Sequence, residues 1–237
     1  MARRVEPLTG DTVEEFPEPC RSCLFWELGA PCPDRVSAPM PSGLILRDKT
    51  ATDALVRKQA WVSARVQEGT PPGRVVRVDG EVAAHAVYAP ARAFARRLPP
   101  VPAASKDAVQ LATVWVQPDR RSHGLGGLLL RSALRDALRA RAAAVEAYGD
   151  RRWRERSCLL PATWLLHSGF VIHREHPRTP LLRLELRRTV RWTESLEHAW
   201  EEVLERLPRR APVPMPDGPA RPPTPRSARH EGPHRSG

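Results

Sequence analysis

Between Val116 and Leu130 the chain passes from an apolar strand into a helix through Arg121-Ser-His-Gly124-Leu-Gly126-Gly127, and no other stretch limits the possible folds as much. Residues 109–116 are apolar and rich in valine, which reads as a strand. Beyond the glycines, Leu130, Leu134 and Leu138 recur at spacing four beside Ala133 and Ala137. That is one apolar stripe of a helix spanning 124–141, with arginines on its wet side. Residues 143–148 return as a strand. A strand–helix–strand succession implies parallel neighbours joined by a right-handed crossover.

Upstream, residues 73–78 meet Asp79-Gly80 and a second apolar run at 82–88, a two-residue hairpin signal that implies an antiparallel pair. The sheet should therefore be mixed, and the class is α/β (α+β) with one central sheet. Residues 44–46 are a short strand candidate, and 50–68 read as a helix stopped by Gly69 and Pro71. After a Pro/Ala/Arg-rich long loop or irregular helix at 90–105, later elements are a short helix at 161–167 ended by Gly169, strands at 170–173 and 181–186, and a helix at 193–207. Residues 1–42 read as a loose arm with a Cys-rich segment, 43–207 as the domain, and 208–237 as a disordered Pro/Arg-rich tail.

The formal charge of +11 raises nucleic acid as a partner. Yet lysine occurs only at 49, 58 and 106, and arginine is scattered through every segment, so no phosphate-tracking patch is expected. A basic field that draws in a polyanionic small molecule is the better reading. Met1-Ala-Arg-Arg leads into Glu14-Glu15 with no apolar segment of a secretory signal, and no run approaches a membrane span. The expected location is cytoplasmic, as a monomer or homodimer, with the four cysteines reduced or metal-bound.

The chemistry lies in the glycine loop. The first N–H groups of a helix lack internal partners and sit at the positive end of its dipole, so they hold an anion where no side chain blocks approach. Gly124, Gly126 and Gly127 remove that block. A Walker loop needs Gly-Lys-Ser/Thr where this chain has Gly-Gly-Leu, and a dinucleotide fingerprint needs Gly or Ala where it has Leu129. What is left is Arg-x-x-Gly-x-Gly at Arg121, Gly124 and Gly126, preceded by Val116-Gln-Pro118 and followed by three leucines.

This pattern resembles the GNAT superfamily of acyl-CoA-dependent N-acyltransferases. The order of elements across 44–187, with Gly169-Phe170 after the short helix, is similar too, and the Cys20–Glu27 header looks like an actinobacterial branch. The resemblance implies an N-acetyltransferase that moves an acyl group from acetyl-CoA to a primary amine by direct attack. It implies that the amides of Arg121, Ser122, His123, Gly124, Leu125, Gly126 and Gly127 hold the pyrophosphate, and that Trp115 and Val116 pair with the pantetheine arm. Cys158 stands where many members place a cofactor-touching Asn, and Leu165 where they place a Tyr that protonates the leaving thiolate. That departure keeps a second reading open, a catalytically silent acyl-CoA sensor or interaction module.

An attacking amine must lose a proton, and Glu146, a carboxylate inside the apolar strand at 143–148, is the candidate base, with Tyr148 on the same face as candidate acid. The alternative for Glu146 is an ion pair with an arginine. His85 reads as a packed or surface histidine and His167 as a helix-end one, and Trp26, Trp61, Trp115 and Trp164 read as core or rim anchors, with an acceptor-pocket role open to any of them. Cys20-x-x-Cys23 with Cys32 makes a zinc knuckle completed by Cys158 or a histidine conceivable, but a second ligand pair is missing from the sequence and no metal ligand is assigned; inert thiols packed near Trp26 are the better reading, with redox sensing a third.

Overall fold

The computed structural model describes residues 3–31, 44–95, 103–154 and 158–186. Its sheet is mixed, with eight strands among the described residues in the order β1-β2-β3-β4-β5-β8-β7, and β6 paired to β5. The strands are β1 (Arg3–Pro7), β2 (Gly73–Val78), β3 (Glu81–Pro90), β4 (Ala108–Val116), β5 (Ala144–Asp150), β6 (Leu160–Pro161), β7 (Val171–Arg174) and β8 (Leu181–Glu185). Helices α1 (Gly10–Glu14), α2 (Leu44–Gln67), α3 (Leu125–Arg139) and α4 (Ala162–His167) complete the described elements.

The hairpin forms as expected. Asp79 and Gly80 both take positive φ, 53° and 92°, the turn that matches strand twist and joins β2 to β3. The crossover also holds, since β4 and β5 are parallel and α3 connects them.

Two expectations are corrected. Residues 3–7 are no loose arm: β1 pairs antiparallel with β2 from Arg3↔Val78 to Pro7↔Arg74, and Thr9 caps α1 through a reciprocal capping box with Thr12. The sheet therefore begins well before residue 43. Residues 44–46 are the start of α2, not a strand, because a three-residue apolar run carries no period of its own. The helix expected at 193–207, the tail at 208–237 and Cys32 lie outside the described residues.

Two apolar clusters sandwich the sheet. On one face the α3 stripe of Leu125, Leu129, Leu130, Ala133, Leu134 and Ala137 packs on Val76, Tyr88, Leu111 and Val145. A buried polar anchor sets its position: Asp136 accepts from Arg74 Nε (2.8 Å) and Nη2 (2.9 Å) and from the Tyr88 hydroxyl (2.6 Å). Burial, reinforced by the Asp136 charge, pushes the Tyr88 phenol up, so it stays a donor. On the other face Phe16, Phe25 and Trp26 of the N-terminal segment join Trp61 and Val62 of α2, Phe94 and Tyr148.

Candidate active site

β4 and β5 pair only over Ala108↔Ala144, Val109↔Val145 and Gln110↔Glu146. Beyond that point they part. β5 turns to β6 through Gly149↔Leu160, while β4 keeps β3 on its other side as far as Val116. A bulge marks the parting: Val87 pairs with Thr113 and Tyr88 with Leu111, leaving Ala112 as the extra residue. Such a bulge bends the strand that carries it. The result is a V whose apex is the Gln110–Glu146 pair, and whose β4 arm presents backbone from Leu111 onward that β5 does not use.

The open end of that arm runs into the glycine loop. Ser122 and Gly124 take left-handed φ values, 62° and 80°, and Gly124 is the N-cap of α3 with no side chain bonded to the helix start. The first amides of α3 are therefore left to an incoming group. The loop is tied back at several points. Gln117 N–H donates to Ala83 O (2.9 Å), Arg121 Nε to Val116 O (3.3 Å), and Arg3 of the edge strand to His123 O (3.2 Å). A Cβ at Gly124 or Gly126 would meet no crowding from the protein itself; at Gly126 its nearest neighbour is the Trp164 ring at 3.7 Å. The fold does not require glycine at 126 for its own packing, so the space above it suits a bound group. Trp164 borders this space. Its signal was its place in α4, one residue before Leu165.

The expected site residues do not all fall in one place. Arg121, Ser122, His123, Gly124, Gly126 and Gly127 sit together on the loop and first turn. Leu125 contributes only backbone there, because its side chain is in the core. Trp115 and Val116 end β4, but the Trp115 ring faces the other way, stacked 5.4 Å from His85, which stacks 3.8 Å from Phe16. An open cavity of about 540 Å³ lies on that face, with Glu15, Glu81, Trp115 and Pro118 in its wall.

Glu146 and Tyr148 share the face opposite α3. Glu146 is fully buried and accepts from Ser105 N–H (2.7 Å), the Ser105 hydroxyl (2.8 Å) and Arg183 Nη1 (2.6 Å), with His173 Nε2 at 3.8 Å. Arg183 also binds Asp107 and Glu185, and its hydrogen bond to Asp107 is the chief cause that holds the Asp107 carboxyl below its usual range. Tyr148 stacks on Trp26 at 5.5 Å. Beside Glu146, the buried Gln110 amide has a nitrogen with no partner.

Cys158 faces the N-terminal segment: its Sγ is 3.8 Å from Cys23 Sγ and its carbonyl accepts from Trp26 Nε1. Leu165 is wholly in the core. Among the described residues no group of three His, Cys, Asp or Glu side chains is arranged to hold a metal, and no helix is long and apolar enough to cross a membrane.

Residues 45–157 match the family described as acetyltransferase (GNAT) family. Residues 45–157 form a GNAT acetyltransferase domain. No curated protein matches it. Among solved structures, the GNAT fold is seen in the putative acetyltransferase yncA of Salmonella typhimurium, solved with acetyl-CoA. That protein is 18% identical, with a TM-score of 0.51 over 78% of this chain and 95% of that one. The PaiA N-acetyltransferase of Thermoplasma acidophilum, in complex with coenzyme A, is 10% identical, with a TM-score of 0.48 over 78% and 99%. The ribosomal-protein-alanine N-acetyltransferase of Brucella melitensis is 16% identical, with a TM-score of 0.46 over 77% and 99%. At these identities the likeness concerns fold alone, and we take it from the first. The GNAT match begins inside α2, so β1, α1 and the Cys20–Glu27 segment lie outside it.

Proposed function

We propose that this acetyltransferase moves an acyl group from acetyl-CoA to a primary amine by direct attack within a ternary complex. The observation that carries the reading is the parting of β4 and β5 beside the uncapped, glycine-lined start of α3. One end of this groove suits a pyrophosphate and the other an extended amide-bearing arm.

In this reading the backbone of 121–127 holds the pyrophosphate, and the free edge of β4 near Val114–Val116 pairs with the pantetheine amides. The thioester supplies the activated acyl group. Holding it against the amine in a fixed pose turns a bimolecular encounter into an oriented one. Trp164 shields the loop side of the groove. Glu146 and Tyr148 take supporting parts: with its oxygens bonded to Ser105 and Arg183, Glu146 fixes the apex and places negative charge on the amine's side. As the C–N bond forms the C–S bond breaks; the amine proton passes to solvent, and the departing CoA thiolate takes a proton from solvent.

The test is release of the free thiol of CoA across a panel of amines, peptides and protein N-termini, with mass analysis of acceptors. Thiol release coupled to an acceptor mass gain of one acetyl group is expected. Binding of acetyl-CoA with flat traces for every acceptor would favour the silent sensor.

A further inference from the structure

Among the described residues three buried side-chain atoms lack a hydrogen-bond partner: Arg65 Nε, His85 Nδ1 and Gln110 Nε2. Arg65 lies in the last turn of α2, and His85 is held between Phe16 and Trp115 on β3. Gln110 is different because of its place. It is the last residue of β4 that pairs with β5, so its amide stands at the apex of the V. Val109 and Leu111 belong to the α3-side core, which puts Gln110 on the opposite face beside Glu146, its cross-strand partner.

A buried amide donor without a partner costs folding free energy, and native interiors contain few of them. Its neighbours do not relieve it. Glu146, the nearest acceptor by register, is already bonded to Ser105 and Arg183. A leucine or methionine would fill this position without that cost. An idle donor at the closed end of an acyl groove fits a ligand acceptor that arrives there.

We propose that the Gln110 side-chain amide donates to the carbonyl oxygen of the acyl group, distinguishing acyl-CoA from free CoA. This rests on the acyl-CoA reading above. The donor is directed at the oxygen on which negative charge grows as the amine attacks, so the same contact strengthens along the reaction. Gln110 then adds to the backbone of the β4 edge as a recognition element for the reacting end of the cofactor.

The experiment is paired calorimetry with acetyl-CoA and with CoA, on the full chain and on Gln110→Met and Gln110→Glu, alongside thermal unfolding without ligand. The wild type should prefer acetyl-CoA. In both variants that preference should shrink about five- to tenfold, the worth of one hydrogen bond, with CoA affinity held within about twofold. Gln110→Met should unfold at or above the wild-type midpoint, since it removes an unpaired donor. An unchanged acetyl-CoA to CoA ratio in folded variants overturns the proposal, as does a fall in midpoint with the ratio unchanged. Failure of the wild type to bind either compound would instead remove the cofactor reading on which it stands.

Discussion

Lys58 Nζ lies 3.0 Å from Glu27 Oε1, with both side chains nearly closed to solvent, and the same ammonium donates to the carbonyls of Cys20 (3.0 Å) and Cys23 (2.8 Å). One lysine on α2 thus gathers the N-terminal segment that carries Trp26 under Tyr148. Burial, the largest single influence, lowers the Lys58 pKa, but the Glu27 charge and hydrogen bond together with the Cys23 and Cys20 sulfurs outweigh it and the pKa is raised, so the lysine stays charged.

Breaking a buried pair leaves the other charge unpaired. Lys58→Met should cost about 3–5 kcal/mol in denaturant unfolding, and adding Glu27→Gln should recover part of that loss. Equal and additive losses from the two substitutions would show that the pair is not coupled.

His85 sets an acid limit on the fold. Burial, with a smaller contribution from the Lys58 charge, pushes its pKa from 6.5 down to about 3. The unfolded chain then binds the proton more readily than the folded one. Stability is complete above 6.5 and is lost as pH falls towards 3, by up to about 1.4 kcal/mol per pH unit. His85→Phe, which keeps a ring between Phe16 and Trp115, should flatten this part of a stability-against-pH curve. Parallel curves for the two proteins would rule out His85 as the cause.

Glu146 holds Ser105 and Arg183 at the apex. Glu146→Gln keeps the shape but weakens both contacts, and should lower stability by about 1–3 kcal/mol. The pH profile of CoA release should keep its form, because the Glu146 oxygens are engaged by Ser105 and Arg183 and do not take the amine proton. A fall of about a hundredfold in rate at unchanged stability, with the acid limb of the profile lost, would make Glu146 the general base.

What the sequence disclosed follows from how local each signal is. Asp79-Gly80 needs only its own two residues to specify a turn, and the leucine stripe of α3 needs only its own period, so both were legible. Arg3-Arg4-Val5-Glu6 carries mostly charge because β1 is an edge strand, and its strand identity comes from pairing with residues some seventy positions on. The closeness of Cys23 to Cys158, 135 residues apart, and the parting of β4 from β5 are properties of the assembled sheet. Glu146 was visible as an oddity within an apolar strand. Its enclosure by Ser105 and Arg183 was not, because both partners come from other segments.

The central claim is that the glycine-lined start of α3 receives the pyrophosphate of acetyl-CoA. Gly126→Ala tests it cleanly, since the new methyl's nearest neighbour is the Trp164 ring at an ordinary contact distance of 3.7 Å and alanine favours the helix by about 0.5–1 kcal/mol. In calorimetric titrations with acetyl-CoA, the wild type should bind in the micromolar range. Gly126→Ala should bind about tenfold or more weakly while unfolding at the same temperature or higher. Equal affinity in the two proteins, or no heat from either acetyl-CoA or CoA with the wild type, would contradict the account.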